Sequence, residues 1–231
     1  MHCLSVVNKD KRIFRQSFCS LSGRRQCEQV CLIYQKIHVN TKAPLYGLVV
    51  CGGKSSRMGF DKSLISYHNI PQRYHLYHML QAFCEKVFIS CNRNQISSVL
   101  SGYNTIVDAE GTEDTGPIAA LVSAFAQFPT ASFLVVGCDY PFLQHHDIEK
   151  LVSARKSHHM TICFLNSSGF EEPLIAIYEA AVQKKLMETF HHGKYSLRRL
   201  LQSVNTLHCS AISEFNITSV DDRKTFDELR N

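Results

Sequence analysis

No apolar run in this sequence approaches the ~20 residues that a membrane-spanning helix requires. The N-terminus also lacks the compact apolar core of a secretory signal. The expected compartment is therefore the cytoplasm, with no membrane partner. No segment recurs at a fixed period, which excludes solenoids and propellers. No Gly-x-Ser-x-Gly occurs, so nothing supports a serine hydrolase built on that turn. The histidine pairs His145-His146, His158-His159 and His191-His192 are adjacent in sequence. Neighbours point apart on a helix, so such pairs make no natural metal clamp.

Charged residues make up 19% of the 231 residues and hydrophobic ones 45%. That balance excludes a wholly disordered chain and suits one domain with a sizeable core. The ten cysteines are scattered, and Cys91, Cys138 and Cys163 lie inside apolar runs. They read as buried free thiols of a reducing compartment rather than a disulfide framework. Cys27-x-x-x-Cys31 is a close pair, but two sulfurs do not complete a metal site.

The net charge of +5 is unevenly spread. Residues 1–44 carry eight Lys/Arg against Asp10 and Glu28, and the remainder is close to neutral. A nucleic-acid-binding domain would carry its basic patch on the fold itself, so no nucleic-acid partner is expected. Residues 1–44 show no clean period and read as a poorly ordered basic extension. Their Arg- and Ser-rich, acid-poor composition leaves an organelle transit peptide as the alternative.

From Leu45 the pattern changes, and residues 45–231 read as one folded domain. Gly47-Leu48-Val49-Val50, Val87 to Cys91, Thr105-Ile106-Val107 and Ser132 to Gly137 are short apolar runs bounded by turn residues, the signature of buried strands. Between them, Arg73–Phe83 places Leu76, Met79, Leu80 and Phe83 at helical spacing. Ile118–Phe128 does the same behind Pro117. Further helices are expected over 147–156, 179–190, 196–201 and 221–230, and strands over 160–165 and 174–178. Strands alternating with helices imply an α/β domain with a mainly parallel sheet and helices on both faces.

Ligands of such sheets bind at the carboxyl ends of the strands. The loop Cys51-Gly52-Gly53-Lys54-Ser55-Ser56-Arg57-Met58-Gly59-Phe60-Asp61-Lys62 leaves such an end. Adjacent glycines let backbone N–H groups turn toward a phosphate. The spacing fits neither the P-loop nor Gly-x-Gly-x-x-Gly, so this is another kind of phosphate loop. Arg57 and Lys62 each bring a fixed positive charge to a polyphosphate. A second strand ends in Val136-Gly137-Cys138-Asp139-Tyr140-Pro141. A lone carboxylate at that edge suits Mg²⁺, which takes few protein ligands and shares phosphate oxygens and water.

The Gly-Gly-Lys-Ser-Ser-Arg-Met-Gly-x-Asp-Lys run resembles the signature of the molybdenum cofactor guanylyltransferases. Asp108, Gly116-Pro117, Cys138-Asp139-Tyr140-Pro141, Glu172-Pro173-Leu174 and Asn216 follow in matching order. The resemblance implies a three-layer, Rossmann-like nucleotidyltransferase domain. It implies transfer of GMP from GTP to molybdopterin with release of pyrophosphate, Mg²⁺ as cofactor, and a monomer that serves molybdoenzymes or cofactor-insertion proteins. It implies nucleotide contacts at Val50, Cys51, Gly52, Gly53, Lys62, Asn92 and Asp108, with Asp139 as both nucleotide and metal residue. Arg57, Lys62 and Asp139 would carry catalysis. Two departures stand out. Cys51 replaces a usual alanine, and the acceptor-side Asn-x-Asn-Thr-Pro appears as Asn216-Ile217-Thr218-Ser219-Val220. A CTP-using or phosphosugar transferase of the same fold, or a non-catalytic nucleotide-binding subunit, remains the alternative reading.

Overall fold

The computed structural model describes residues 42–51, 61–156, 158–220 and 222–230. The fold belongs to the unit that begins at Ala43. The expectations for residues 1–41, and for Gly52, Gly53 and Arg57, lie outside the described residues.

Seven described strands form one sheet: β1 (Leu45–Val50), β2 (Lys86–Cys91), β3 (Thr105–Val107), β4 (Ser132–Gly137), β5 (Thr161–Leu165), β6 (Glu171–Tyr178) and β7 (Thr206–Ser210). Their order is β3-β2-β1-β4-β6-β5-β7. The first four run parallel, and β7 runs parallel to β5. β6 opposes both of its neighbours, β4 and β5. The central strands LYGLVV and SFLVVG are largely or wholly buried, as runs covered on both faces must be.

Side-chain alternation divides the core between the two faces. Val49, Ile89, Leu134 and Val136 meet α1 (Gln72–Gln81) and α3 (His145–Ser153). Leu48, Val50, Phe88 and Val135 meet α2 (Ile118–Gln127), α4 (Gln183–His191) and α5 (Leu197–Gln202). The layers are therefore helix, sheet, helix. Leu48 is completely buried at the centre, and Leu48→Ala would cost about 2–5 kcal/mol through lost transfer energy and a cavity.

A smaller cluster supports the functional end. Phe226 of α6 (Arg223–Arg230) stacks on Phe142, with ring centroids 4.9 Å apart, and packs with Ile65, Tyr67 and Val220.

The expected helices and strands are present with shifted ends. β6 begins at Glu171 rather than Leu174, and β7 is a strand that no apolar run announced. Direction follows from the turn. Asn166 Oδ1 accepts from the N–H groups of Ser168 and Phe170 at 3.0 Å each, and Gly169 takes a φ of 76°. This closes a hairpin, and hairpin strands are antiparallel.

Candidate active site

The chain builds β1, β2 and β3 in one direction across the sheet and then places β4 on the other flank of β1. The crevice between the carboxyl ends of β1 and β4 is thus a topological switch point. Val50 pairs with Ser90 on one side and Gly137 on the other, so three strand ends are level. Each ladder continues one step further: Cys51 N–H donates to Ser90 O at 3.2 Å, and Cys138 N–H to Val50 O at 3.1 Å. The Cys51 and Cys138 thiols lie 3.7 Å apart. Their shared hydrogen bond, then burial, holds the Cys138 thiol well above its ordinary pKa.

Asp139 follows directly. Its Oδ2 accepts from the Ser219 hydroxyl at 2.9 Å, and its carbonyl accepts from Val220 N–H at 2.7 Å. Gly137 makes room for it. A Cβ there would collide with Asp139 Oδ1 and come within 3.1 Å of Leu174 Cβ. The rest of the turn is held from three more elements. Tyr140 donates its hydroxyl to Glu172 Oε2 at 2.8 Å, and Glu172 Oε1 accepts from Asn166 Nδ2 at 2.9 Å. Gln72 Nε2 donates to Tyr140 O at 3.3 Å, and His68 Nε2 donates to Pro141 O at 2.7 Å. Burial, then the Asp139 and Glu172 carboxylates, pushes the Tyr140 phenol well up, so it remains a donor.

On the β2 side, Lys62 opens a short 3₁₀ turn, Lys62–Leu64, behind Asp61. Asp61 Oδ1 accepts from Ser63 N at 3.0 Å and Ser63 Oγ at 2.7 Å. Its other oxygen accepts from Gln95 Nε2 at 3.0 Å, with the buried Arg73 guanidinium 4.0 Å away. Gln95 Oε1 in turn accepts from Asn92 N at 3.1 Å, and Asn92 Oδ1 caps the turn by accepting from Asn94 and Gln95 N–H. Gln95 therefore joins the end of the glycine loop to the Asn92 turn. Asp108 leaves β3 with its N–H on Cys91 O at 3.0 Å. Burial raises its carboxyl to about 6, against a lowering contribution from the Ser90 hydroxyl.

A cavity of about 300 Å³ is lined by Pro117, Pro173, Leu174, Tyr195, Leu197 and Arg198 among others. Arg198 donates from Nε to Glu171 O at 3.2 Å, and its guanidinium lies 5.2 Å from the Phe170 ring centroid. Asn216 does not line this cavity. Its amide donates to Asp147 Oδ2 at 2.9 Å, at the start of α3. Val50, Cys51, Lys62, Asn92, Asp108 and Asp139 thus come to one edge of the sheet, and Asn216 supports that edge from behind the Ser219 strap. Sequence reasoning missed Gln95, Ser219 and Tyr195. Ser219 carried one legible signal, since it lies in the segment where the guanylyltransferase pattern breaks.

A family profile described as the MobA-like NTP transferase domain matches residues 47–209. The molybdenum cofactor biosynthesis bifunctional protein of Synechocystis sp. is 28% identical over 191 residues, 82% of this chain and 54% of that protein. The chain thus spans about half the length of that relative. The molybdenum cofactor guanylyltransferase of Pseudomonas entomophila is 29% identical over 187 residues, 77% of this chain and 97% of that protein. Among solved structures, molybdopterin-guanine dinucleotide biosynthesis protein A from Archaeoglobus fulgidus has a TM-score of 0.65 at 17% identity. It covers 80% of this chain and 96% of its own, a likeness of fold.

Proposed function

Because the chain belongs to the MobA-like NTP transferase domain family and has the α/β nucleotidyltransferase fold, we propose that it transfers GMP from GTP to molybdopterin. The observation that carries the reading is Asp139, held at the switch point level with the root of the glycine loop, with Leu174 reaching both Gly137 and the cavity of about 300 Å³.

An oxygen of the acceptor phosphate attacks the α-phosphorus of GTP in line. The new P–O bond forms as the bond to the β-phosphate oxygen breaks, and pyrophosphate leaves with that electron pair. No protein nucleophile is needed. The protein's work is to hold two anions in register and to neutralise charge that grows on the phosphoryl and leaving oxygens. Lys62 and Arg57 supply fixed cations to the phosphates. Val50, Cys51, Gly52, Gly53, Asn92 and Asp108 hold the nucleotide.

A single carboxylate such as Asp139 suits Mg²⁺, a cation which takes one or two carboxylates and completes its shell with phosphate oxygens and water. Asp139 would hold it, and the bound ion would polarise the phosphoryl oxygens. Ser219 and the bare Gly137 fix where the Asp139 carboxylate is presented.

The acceptor enters from the β6 side. The Tyr195 ring and the Arg198 guanidinium offer a stacking face and an anion partner to a planar heterocycle that carries a phosphate. Asn216 contributes to acceptor binding by setting the position of the Ser219 strap.

The test uses purified full-length protein, Mg²⁺ and molybdopterin with ATP, CTP, GTP or UTP, reading pyrophosphate release. GTP is expected to exceed the other three by at least tenfold. Equal turnover of CTP would overturn the choice of base. No release with any triphosphate would overturn the enzymatic reading.

A further inference from the structure

Two cysteines end neighbouring strands at the point where the nucleotide loop and the Asp139 turn depart. Cys51 follows β1 and immediately precedes Gly52, while Cys138 follows β4 and immediately precedes Asp139. Their sulfurs are 3.7 Å apart and face each other on the α1/α3 side of the sheet. Disulfide-forming cysteines need Cα atoms about 4.4–6.8 Å apart. Hydrogen-bonded strands hold neighbouring backbones about 4.7–4.9 Å apart. The backbone is therefore already at bonding range.

We propose that Cys51 and Cys138 are a modification site at which a small two-electron oxidant of the peroxide class forms a disulfide. Cys51, as its thiolate, attacks a peroxide oxygen. An S–O bond forms as the O–O bond breaks, the departing hydroxide takes the proton that the thiol released and leaves as water, and a sulfenic acid remains. The second sulfur then attacks the first, a second water departs, and the S–S bond closes. Two thiols are oxidised by one bond while one peroxide is reduced to two waters. Both residues are buried, at 6% and 8% exposure, so the oxidant proposed is a small one.

Closing the bond to about 2.05 Å draws the sulfurs together by roughly 1.7 Å. Side-chain rotation takes up that approach, and the bond ties the root of the glycine loop to the Asp139 turn, removing their freedom to adjust to a bound triphosphate. Misplacement near 1 Å in a phosphoryl-transfer site can cost ~10²-fold in rate. This consequence for activity rests on the proposed transferase function, whereas the bond itself does not.

The experiment treats the full chain with hydrogen peroxide and maps peptides under non-reducing conditions. A Cys51–Cys138 linked peptide, short of two hydrogens and released by dithiothreitol, is expected. Pyrophosphate release should fall at least tenfold in the linked protein and recover on reduction. Cys138→Ala, measured against its own untreated sample, should form no such link and keep its rate. Sulfinic or sulfonic acid at either position would overturn the proposal, as would a link from Cys51 to Cys91, which ends the next strand. Equal inactivation of Cys138→Ala would overturn the link to activity. If untreated protein releases no pyrophosphate, the functional reading fails, and the peptide map still decides the disulfide.

Discussion

Ser219 donates its hydroxyl to Asp139 Oδ2 at 2.9 Å, across 80 residues of sequence. The next residue reinforces it, because Val220 N–H donates to Asp139 O at 2.7 Å. The guanylyltransferase pattern has proline at that position, and proline has no N–H to give. The departure from the pattern therefore supplies a bond that fastens the late segment to the Asp139 turn. Phe226 and Phe142 cover the same joint.

Asp139→Asn keeps the size and loses the charge, so the fold should survive. Turnover is expected to fall by at least ~10²-fold, the scale of removing one electrostatic stabiliser from a preorganised site. Ser219→Ala removes a hydrogen bond to a carboxylate, worth about 1.5–3 kcal/mol, so a loss of roughly tenfold or more is expected. A Mg²⁺ titration of GMP transfer decides the matter. Matching rates and matching metal midpoints for wild type and Asp139→Asn would remove Asp139 from the metal site.

If the proposed function holds, Lys62→Ala and Arg57→Ala each take a cation from the bound polyphosphate. Charge-assisted bonds there are worth about 1.5–3 kcal/mol, so transfer should slow by roughly tenfold to over a hundredfold. Melting without nucleotide should hardly move. A variant of either residue that turns over like wild type would exclude it from the site.

The legibility of the fold follows burial. β1, β2 and β4 are covered on both faces, and their runs of Val, Leu and Ile announce them. β7 reads Thr-Leu-His-Cys-Ser with no fully buried position, so its strand character comes from pairing with β5 and leaves little trace in composition. The start of β6 hid behind Glu171-Glu172-Pro173. Glu171 is buried in the sheet because Gln202 Nε2 donates to it at 2.9 Å and His208 approaches to 3.7 Å. Lys62 and Asp139 could be singled out from the sequence because one residue type there implies one chemistry, and the structure adds the contacts around them. The site was not legible where distant segments meet, as with Ser219 on Asp139 or Gln95 on Asp61.

Asn216→Ala separates support from contact. Its amide is a hydrogen-bond partner of the fully buried Asp147 carboxylate. Its removal leaves a buried acceptor short of a donor, at about 1–3 kcal/mol. The melting temperature should fall. Turnover should drop further than GTP affinity, because the Ser219 strap begins at this residue. Collapse of GTP affinity with acceptor binding intact would reverse the assignment of Asn216 to the acceptor side.

Arg198→Ala should raise the KM for the acceptor by about tenfold, the worth of one charge-assisted contact, with the KM for GTP unchanged. Because Arg198 also bonds Glu171 O, a melting curve must accompany the kinetics. Arg198→Lys keeps charge without the planar fork and should recover part of the loss. Parallel increases in both KM values would show that the cavity is not the acceptor's.

Stability should respond to pH through two groups of opposite sign. Burial, then the charges of His68, His145 and His78, lowers His75 from 6.5 to about 4. Between those values the unfolded chain binds a proton that the folded chain refuses. Its contribution is therefore complete above pH 6.5 and is lost as pH falls toward 4. Asp108 is raised from 3.8 to about 6. In that window the folded chain keeps a proton that the unfolded chain has released. Its contribution is therefore complete below pH 3.8 and is lost as pH rises through 6. The two oppose each other between about pH 4 and 6 and flatten the wild-type profile there. Urea midpoints measured from pH 4 to 8 test this. His75→Gln should lose the acid-side decline, and Asp108→Asn should steepen it. Profiles for both variants that run parallel to wild type would show that neither group titrates differently in the folded chain.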